Sequence, residues 1–329
     1  MVGKNLFKKV ALFLVGVVFL VGCSGQTTSD NQKEKIQVGI SQIVEHPALD
    51  AARQGFEDAL EEEFSEKVNI DFQNAQGDIP TAQVIAKNFV SQKKDMIFAI
   101  ATPAVQAAFN ATKEIPIVMA AVTDPVRAEL VNSLEKPGTN VTGTIDMAPI
   151  DQQFQLLKTL IPNAKKVGIL YNTSEINSEI QMEMAKKEAN KLGLEVITSG
   201  VTNVNEVSQV LSSFLKDVDV LYTPTDNLVA SSITLITSEC TKKGIPVIGA
   251  EEAHVKGGAL ATEGIDYYKS GFEAGKIAIE ILKGRDPKDI AISLAKDNQL
   301  VINMDVAKKL NIQIPKDLQN KAQIVESGE

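Results

Sequence analysis

The chain of 329 residues has no tryptophan, only two histidines and two cysteines, and an excess of acid that leaves it at a net charge of −9. Each scarcity excludes something. With so few His and Cys and no close spacing among them, the usual zinc patterns are absent, and no metal or cofactor is expected. Outside its first nine residues the chain has no basic cluster, which argues against a nucleic-acid partner. There is no G-x-S-x-G elbow, no P-loop and no glycine-rich dinucleotide turn after the first predicted strand. Catalysis is therefore not expected, although paired carboxylates such as Glu251 and Asp266 keep acid–base chemistry as an alternative. The lack of tryptophan also leaves few aromatic platforms for stacking a sugar.

One long apolar run opens the chain. Lys4, Lys8 and Lys9 precede apolar residues 10–21, a stretch short for a bilayer span but suited to a signal leader over residues 1–22. It ends Leu20-Val21-Gly22-Cys23, which resembles a lipobox with Cys23 as the acylated residue; the alternative is an ordinary leader with an incidental cysteine. Residues 23–35 are Ser, Thr, Gln, Asn and charge, and read as a tether. If Cys23 is lipidated, Cys240 is the remaining thiol and no intramolecular disulfide can form. Cys240 follows Ile233 and Ile236 at helical spacing, as a small core residue would. About 300 residues then remain, enough for two ordinary domains.

The stretch DMIFAIATPAVQAAFNATKEIPIVMAAVTD, from Asp95 to Asp124, organises the rest. Residues 96–101 read as a strand buried on both faces. Thr102-Pro103 predicts a helix to about Lys113, with Thr102 as its N-cap. A second apolar run, 117–122, closes at Thr123-Asp124-Pro125. This is strand, helix, strand, with a polar loop at the carboxyl end of each strand, where open parallel sheets bind ligands. The pattern recurs. The run 219–222 ends at Thr223-Pro224-Thr225-Asp226-Asn227, a helix is predicted over 228–243, and the run 247–250 ends at Glu251-Glu252. Val38-Gly39-Ile40 and Val167-Gly168-Ile169 stand at matching upstream positions. A repeat this long is no solenoid period; it predicts two lobes of similar α/β build.

Periodicity and turn residues predict further strands over 36–40, 68–73, 141–145, 167–171, 195–198, 258–265 and 300–303, and helices over 51–63, 81–92, 149–160, 177–192, 204–215, 266–282 and 304–310. Gly271, Ala274, Gly275 and Ala278 give the helix over 266–282 a smooth face for close packing. The tail begins at Pro315. A first passage between lobes is expected at residues 144–148.

Taken together these segments resemble a family of solute-binding lipoproteins of ABC importers, the tryptophan/tyrosine-type branch. The resemblance rests on GISQIVEHPALDAARQGFEDAL from Gly39, ATPAVQAA from Ala101, AAVTDPV from Ala120, VGILYNTSEINS from Val167, TPTDNLV from Thr223, GALATEGIDYYKSGFEAGKIAIEILKG from Gly258 and LVINMDVAKKLNIQIP from Leu300. It implies an α/β fold of the type I periplasmic-binding class, two doubly wound lobes joined by three crossing strands. The second and third crossings would fall at 264–266 and 297–301. Lobe 1 would comprise 36–145 plus 266–297, and lobe 2 146–265 plus 298–329. It further implies an extracytoplasmic, lipid-anchored protein that delivers a small zwitterion, an aromatic amino acid, to an ABC permease. A branched-chain amino acid, a peptide, a nucleoside, or a sensor role remain alternatives.

Candidate ligand-binding residues sit in the strand-exit loops: Gln42, Thr102, Thr123 and Asp124 in the first half, and Asn172, Glu175, Asn177, Ser178, Thr225, Asp226, Asn227, Glu251 and Asp266 in the second. Each has a purely local alternative. Thr102 and Asp226 cap helices, Asp124 forms an Asp-Pro turn, and the 172–178 group makes a capping box or solvated loop. On the functional reading the helix start at Thr102 meets a ligand carboxylate and Asp226 meets its ammonium, with Glu175, Glu251 and Asp266 as rival acceptors. His46, beside Pro47, is expected to be structural or at the surface.

Overall fold

The computed structural model describes residues 35–294 and 298–325. The leader, Cys23, nearly all of the tether and Asp297 lie outside them.

The first half alternates β1 (Ile36–Gln42), α1 (Pro47–Phe64), β2 (Val68–Asn74), α2 (Ile79–Ser91), β3 (Met96–Ile100), α3 (Thr102–Ala111), β4 (Ile117–Val122) and β5 (Val141–Ile145). The second runs α4 (Ile150–Leu160), β6 (Lys166–Asn172), α5 (Ile176–Lys191), β7 (Glu195–Val201), α6 (Val204–Phe214), β8 (Val220–Thr223), α7 (Asn227–Ser231), α8 (Ile233–Lys242), β9 (Val247–Gly249), α9 (Glu252–Lys256) and β10 (Ala261–Ile265). The chain then continues through α10 (Tyr267–Leu282), β11 (Ser293–Leu294), β12 (Asn298–Asn303), α11 (Met304–Lys309), α12 (Lys316–Lys321) and β13 (Gln323–Val325).

Two sheets result. One is parallel throughout, in the order β11-β5-β4-β3-β1-β2; the other, β13-β12-β10-β9-β8-β6-β7, is parallel except where β10 meets β12. Every residue of β3 and β4 is buried, as their unbroken apolar runs require with helices on both faces. We call the part around each sheet a lobe. In lobe 1 Phe56 of α1 stacks on Phe98 of β3 at 3.7 Å between ring centroids. In lobe 2 the Tyr222 hydroxyl donates to Gln153 Oε1 at 2.6 Å, and Gln153 Nε2 donates to the carbonyls of Ala250 and Glu263, fastening α4 across the sheet. Cys240 is buried in α8, its thiol pushed up to about 12 by burial, which makes it inert.

Several boundaries differ from expectation. α1 begins at Pro47, not Ala51, because proline suits a first helical turn. The helix predicted over 228–243 is two helices meeting at Ser232. Residues 316–325 of the tail form α12 and β13, and β13 pairs with β12 as a sheet edge. Thr102 is not an N-cap. That position falls to Ala101, whose φ of 79° carries the chain from β3 into the helix and leaves Thr102 as its first residue.

Candidate functional site

Several of the strand exits expected to carry chemistry meet at the gap between the lobes. A small cavity there, with a volume of about 10 Å³, is lined from lobe 1 by His46, Leu49, Ala121 and Thr123, from lobe 2 by Asn177, Thr225, Asp226, Asn227, Ala230 and Glu251, and, where the chain passes between the sheets, by Asp146 and Tyr267. A second cavity of about 190 Å³ shares Asn227 with it and adds Asn172, Glu175 and the aliphatic Val44, Val204 and Leu228.

The backbone is shaped for this gap. Ala101, just after β3, and Ala121, the last residue but one of β4, have φ of 79° and 56°, a region alanine seldom enters. The β4–β5 register slips between Met119 and Val122 around Ala121, and Ala121 lines the cavity. Such bulges re-aim the chain at functional edges.

In lobe 2 the polar side chains form one network. Asp226 Oδ2 accepts the Asn172 amide N–H at 2.6 Å, and Oδ1 caps α7 by accepting Val229 N–H at 3.0 Å. Glu175 accepts from the side-chain amides of Asn172 (3.0 Å), Asn177 (3.0 Å) and Asn227 (2.5 Å). Burial, then the charge of Asp226, pushes Glu175 up to about 7, and burial also raises Asp226. Nearer the crossings, Tyr267 OH donates to Asp146 Oδ2 at 2.9 Å and Thr123 Oγ1 lies 3.4 Å from Oδ1. Burial lifts Asp146 to about 6 and Glu251 to about 8. Glu251 Oε1 makes no well-formed hydrogen bond, although His254 Nε2 stands 3.3 Å away, and the Tyr267 hydroxyl is a further partner of the Glu251 carboxyl. Burial lowers His46 to about 4 and His254 to about 3, so both are neutral at pH 7.

Of the residues singled out from sequence, Thr123, Asn177, Thr225, Asp226, Asn227 and Glu251 share the first cavity, and Asn172 and Glu175 line the second. Ser178, fully buried, lies 3.4 Å from Asn177 Nδ2. Others stand apart. Gln42 is fully buried, but its amide is spent on Val44 O and Asp50 Oδ1, tying down the loop into α1. Asp124 accepts the N–H groups of Val126 and Arg127 in a turn. Asp266 caps α10 through Lys269 N–H, pairs with Lys269 Nζ at 3.3 Å, and faces a different crevice. Thr102 lines neither cavity, yet its hydroxyl is buried without a partner. Sequence reasoning missed Asp146 and Tyr267, which sit where the chain passes between sheets. His46, expected to be structural or at the surface, is buried in the cavity wall. Asp146 and Tyr267 follow strands β5 and β10, so the strand-exit rule applied to the crossings would have found them.

The two lobes touch. Gln181 Nε2 of α5 reaches Thr123 Oγ1 at 3.4 Å, and Arg127 pairs with Glu183 at 2.9 Å. Two α/β lobes holding a buried polar cavity between facing strand edges are the architecture of a solute receptor, and the model of the ABC transporter substrate binding protein family matches residues 37–326. The chain belongs to that family. The fold is accordingly that of type I periplasmic binding proteins, and such substrate-binding proteins are extracytoplasmic. A tyrosine-binding protein of Clostridioides difficile is 48% identical over 322 residues, covering 94% of this chain and 93% of that one. Among solved structures, an ABC domain from Streptococcus pneumonia in complex with L-Trp is 38% identical, covers 88% of this chain and 100% of its own, and superposes with a TM-score of 0.86. The ligand-free, open structure of a Clostridium difficile substrate-binding protein with adhesive properties is 49% identical, covers 89% and 99%, and superposes with a TM-score of only 0.68.

Proposed function

We propose that this substrate-binding protein captures an aromatic amino acid, tyrosine, tryptophan or phenylalanine, between its lobes and delivers it to the permease of an ABC importer without chemical change. The observation that carries the reading is the composition of the cleft. Its inner cavity is lined by three buried carboxyl groups, Asp146, Asp226 and Glu251, and by neither lysine nor arginine, which suits an ammonium. With no cation present, the ligand carboxylate is met by amides and hydroxyls, and the unpartnered Thr102 hydroxyl at the first turn of α3 is the lobe 1 candidate. The ring then lies in the outer cavity against Val44, Val204 and Leu228. The tyrosine named for the relative and the L-Trp in the solved neighbour support the ligand class.

The remaining candidates divide by this geometry. Asn172, Glu175, Asn177, Ser178, Thr225 and Asn227 form the lobe 2 wall, while Gln42, Asp124 and Asp266 hold loops and caps around it. Residues 36–145 with 266–297, and 146–265 with 298–329, are taken as the lobes; the packing of α10 against α1 supports the division. Cys23 is taken as the lipid anchor on the strength of its lipobox. Cys23→Ala should release the protein from membranes or leave it unprocessed, and identical fractionation of the two forms would end the anchoring reading.

A thermal-shift screen of the amino acids tests the ligand class, because a ligand that binds only the folded state raises the melting temperature by mass action. Tyrosine, tryptophan or phenylalanine should give the largest shift. A flat response to all three, or their consumption in solution, overturns the reading.

A further inference from the structure

His46 stands where its own helix has no use for it. It occupies the N-cap of α1, a position that favours Ser, Thr, Asp or Asn, yet its side chain makes no capping hydrogen bond. Pro47 after it holds its backbone extended, with φ of −157° and ψ of 160°. The imidazole lies instead in the wall of the inner cavity, where the residue is only 7% exposed. Neither ring nitrogen makes a well-formed hydrogen bond, and the Asn227 side chain of lobe 2 is the polar partner within reach. Burial keeps the ring neutral at pH 7, so it offers one N–H and one lone pair. A buried polar group in this state is costly unless a further partner completes it.

The cavity beside it is small. A volume of about 10 Å³ admits one water-sized group, about the size of an ammonium head, and leaves no room for a methyl group on it. A primary ammonium carries three N–H donors in a tripod, and acceptors on one wall cannot meet all three. Lobe 2 presents Asp226 and Glu251, and the crossings present Asp146 and Tyr267. Lobe 1 presents His46, Leu49, Ala121 and Thr123. Leu49 and Ala121 have no polar side-chain atom. The Thr123 hydroxyl already stands between Asp146 Oδ1 and Gln181 Nε2, each at 3.4 Å. His46 is the uncommitted acceptor of that wall.

We propose that His46 completes, from lobe 1, a socket for one unsubstituted ammonium: one ring nitrogen accepts an N–H of the ligand while the other donates to Asn227 of lobe 2, which ties capture to closure. The proposal rests on the amino-acid reading of the same site and adds to it the class of amine and the lobe 1 contact.

Calorimetry with L-tyrosine, L-tryptophan and their N-methyl forms tests it, because N-methylation keeps the charge and adds only bulk at the amine. Whichever amino acid binds more tightly, wild type should prefer it to its N-methyl form by at least about tenfold, and equal affinities overturn the socket. His46→Leu keeps bulk but removes the acceptor. It should bind the amino acid at least about tenfold more weakly, the scale of one hydrogen bond to a charged group. The melting temperature of its free form should be unchanged or higher, since the group removed has no firm partner there. His46→Gln, which keeps an acceptor, should stay within about threefold of wild type. Intact affinity in His46→Leu, or an equal loss in His46→Gln, overturns the contact. Should His46→Leu not fold, His46→Ala is read by its preference: with room opened beside the amine, it should favour the unmethylated form by less than about threefold, and an unchanged preference overturns the proposal. If wild type binds neither tyrosine nor tryptophan, the amino-acid reading has failed and the socket falls with it. If wild type binds them and the His46 variants bind alike, that reading stands and the proposal alone falls.

Discussion

Asp226 joins two roles that sequence reasoning set against each other. Its carboxylate caps α7 through Val229 and also pins the last residue of β6 through Asn172, while one edge of the side chain lines the cavity. Asparagine offers one acceptor oxygen in place of two, so Asp226→Asn must present an NH₂ to one of those backbone donors. The variant should lose about 1–3 kcal/mol of stability and bind its amino acid at least about tenfold more weakly. Lost stability with intact affinity, read by denaturation and calorimetry together, would confine Asp226 to the frame of the site. Thr102 is the converse case. Its buried hydroxyl bonds to nothing, so Thr102→Val should leave the melting temperature unchanged or higher, and should cost about fivefold in affinity if that hydroxyl meets the ligand carboxylate. Unaltered affinity removes it from the site.

At the scale of elements, the decisive packing is α1 against α10. The chain leaves the second sheet at β10 and returns to lobe 1 as α10, where its small residues let two backbones approach. A methyl group at Gly271 would overlap the carbonyl of Ala52, and one at Gly55 the carbonyl of Tyr268. Here glycine is required by distance, not by backbone angle. Gly271→Ala should therefore destabilise lobe 1 by about 1–3 kcal/mol, the usual range for overpacking. A scanning-calorimetry trace no different from wild type would mean the helices can separate freely. Because Asp146 and Tyr267 lie on successive crossings, the same packing holds the Tyr267 hydroxyl against Asp146.

The whole molecule matches the L-Trp complex better than the open, ligand-free structure, although the latter is closer in sequence. Rotation of one lobe against the other, without change inside either, produces that pattern, so the conformation described is the closed one. X-ray scattering should show a radius of gyration that shrinks when tyrosine or tryptophan is added, and equal radii at saturation would argue against a hinged clamp. The Arg127–Glu183 pair bridges the closed edges, but its side chains are 46% and 59% exposed. At that exposure an ion pair contributes about 0–1 kcal/mol at most, so Arg127→Ala should weaken binding by no more than about fivefold. Buried contacts such as Gln181 to Thr123, and the ligand itself, carry the closure.

Local chemistry in the sequence determined much of this. Apolar runs bounded by Thr, Pro and Asp marked β3, β4, β8 and β9, because a strand buried on both faces leaves no polar alternation to misread. The repeat marked two lobes, and the strand-exit rule named six residues of the inner cavity. Three things needed the tertiary structure. Ala101 took the helix boundary from Thr102, because a left-handed alanine is dictated by how β3 must enter α3 and not by any residue preference. The partition of Gln42, Asp124 and Asp266 away from the inner cavity depended on which groups stood within bonding distance. The meeting of Asp146, Glu251, Tyr267 and His46 arose from crossings that bring the ends of four distant strands and helices to one point. Sequence spacing carries no record of such a meeting; it is set when the two sheets close on each other.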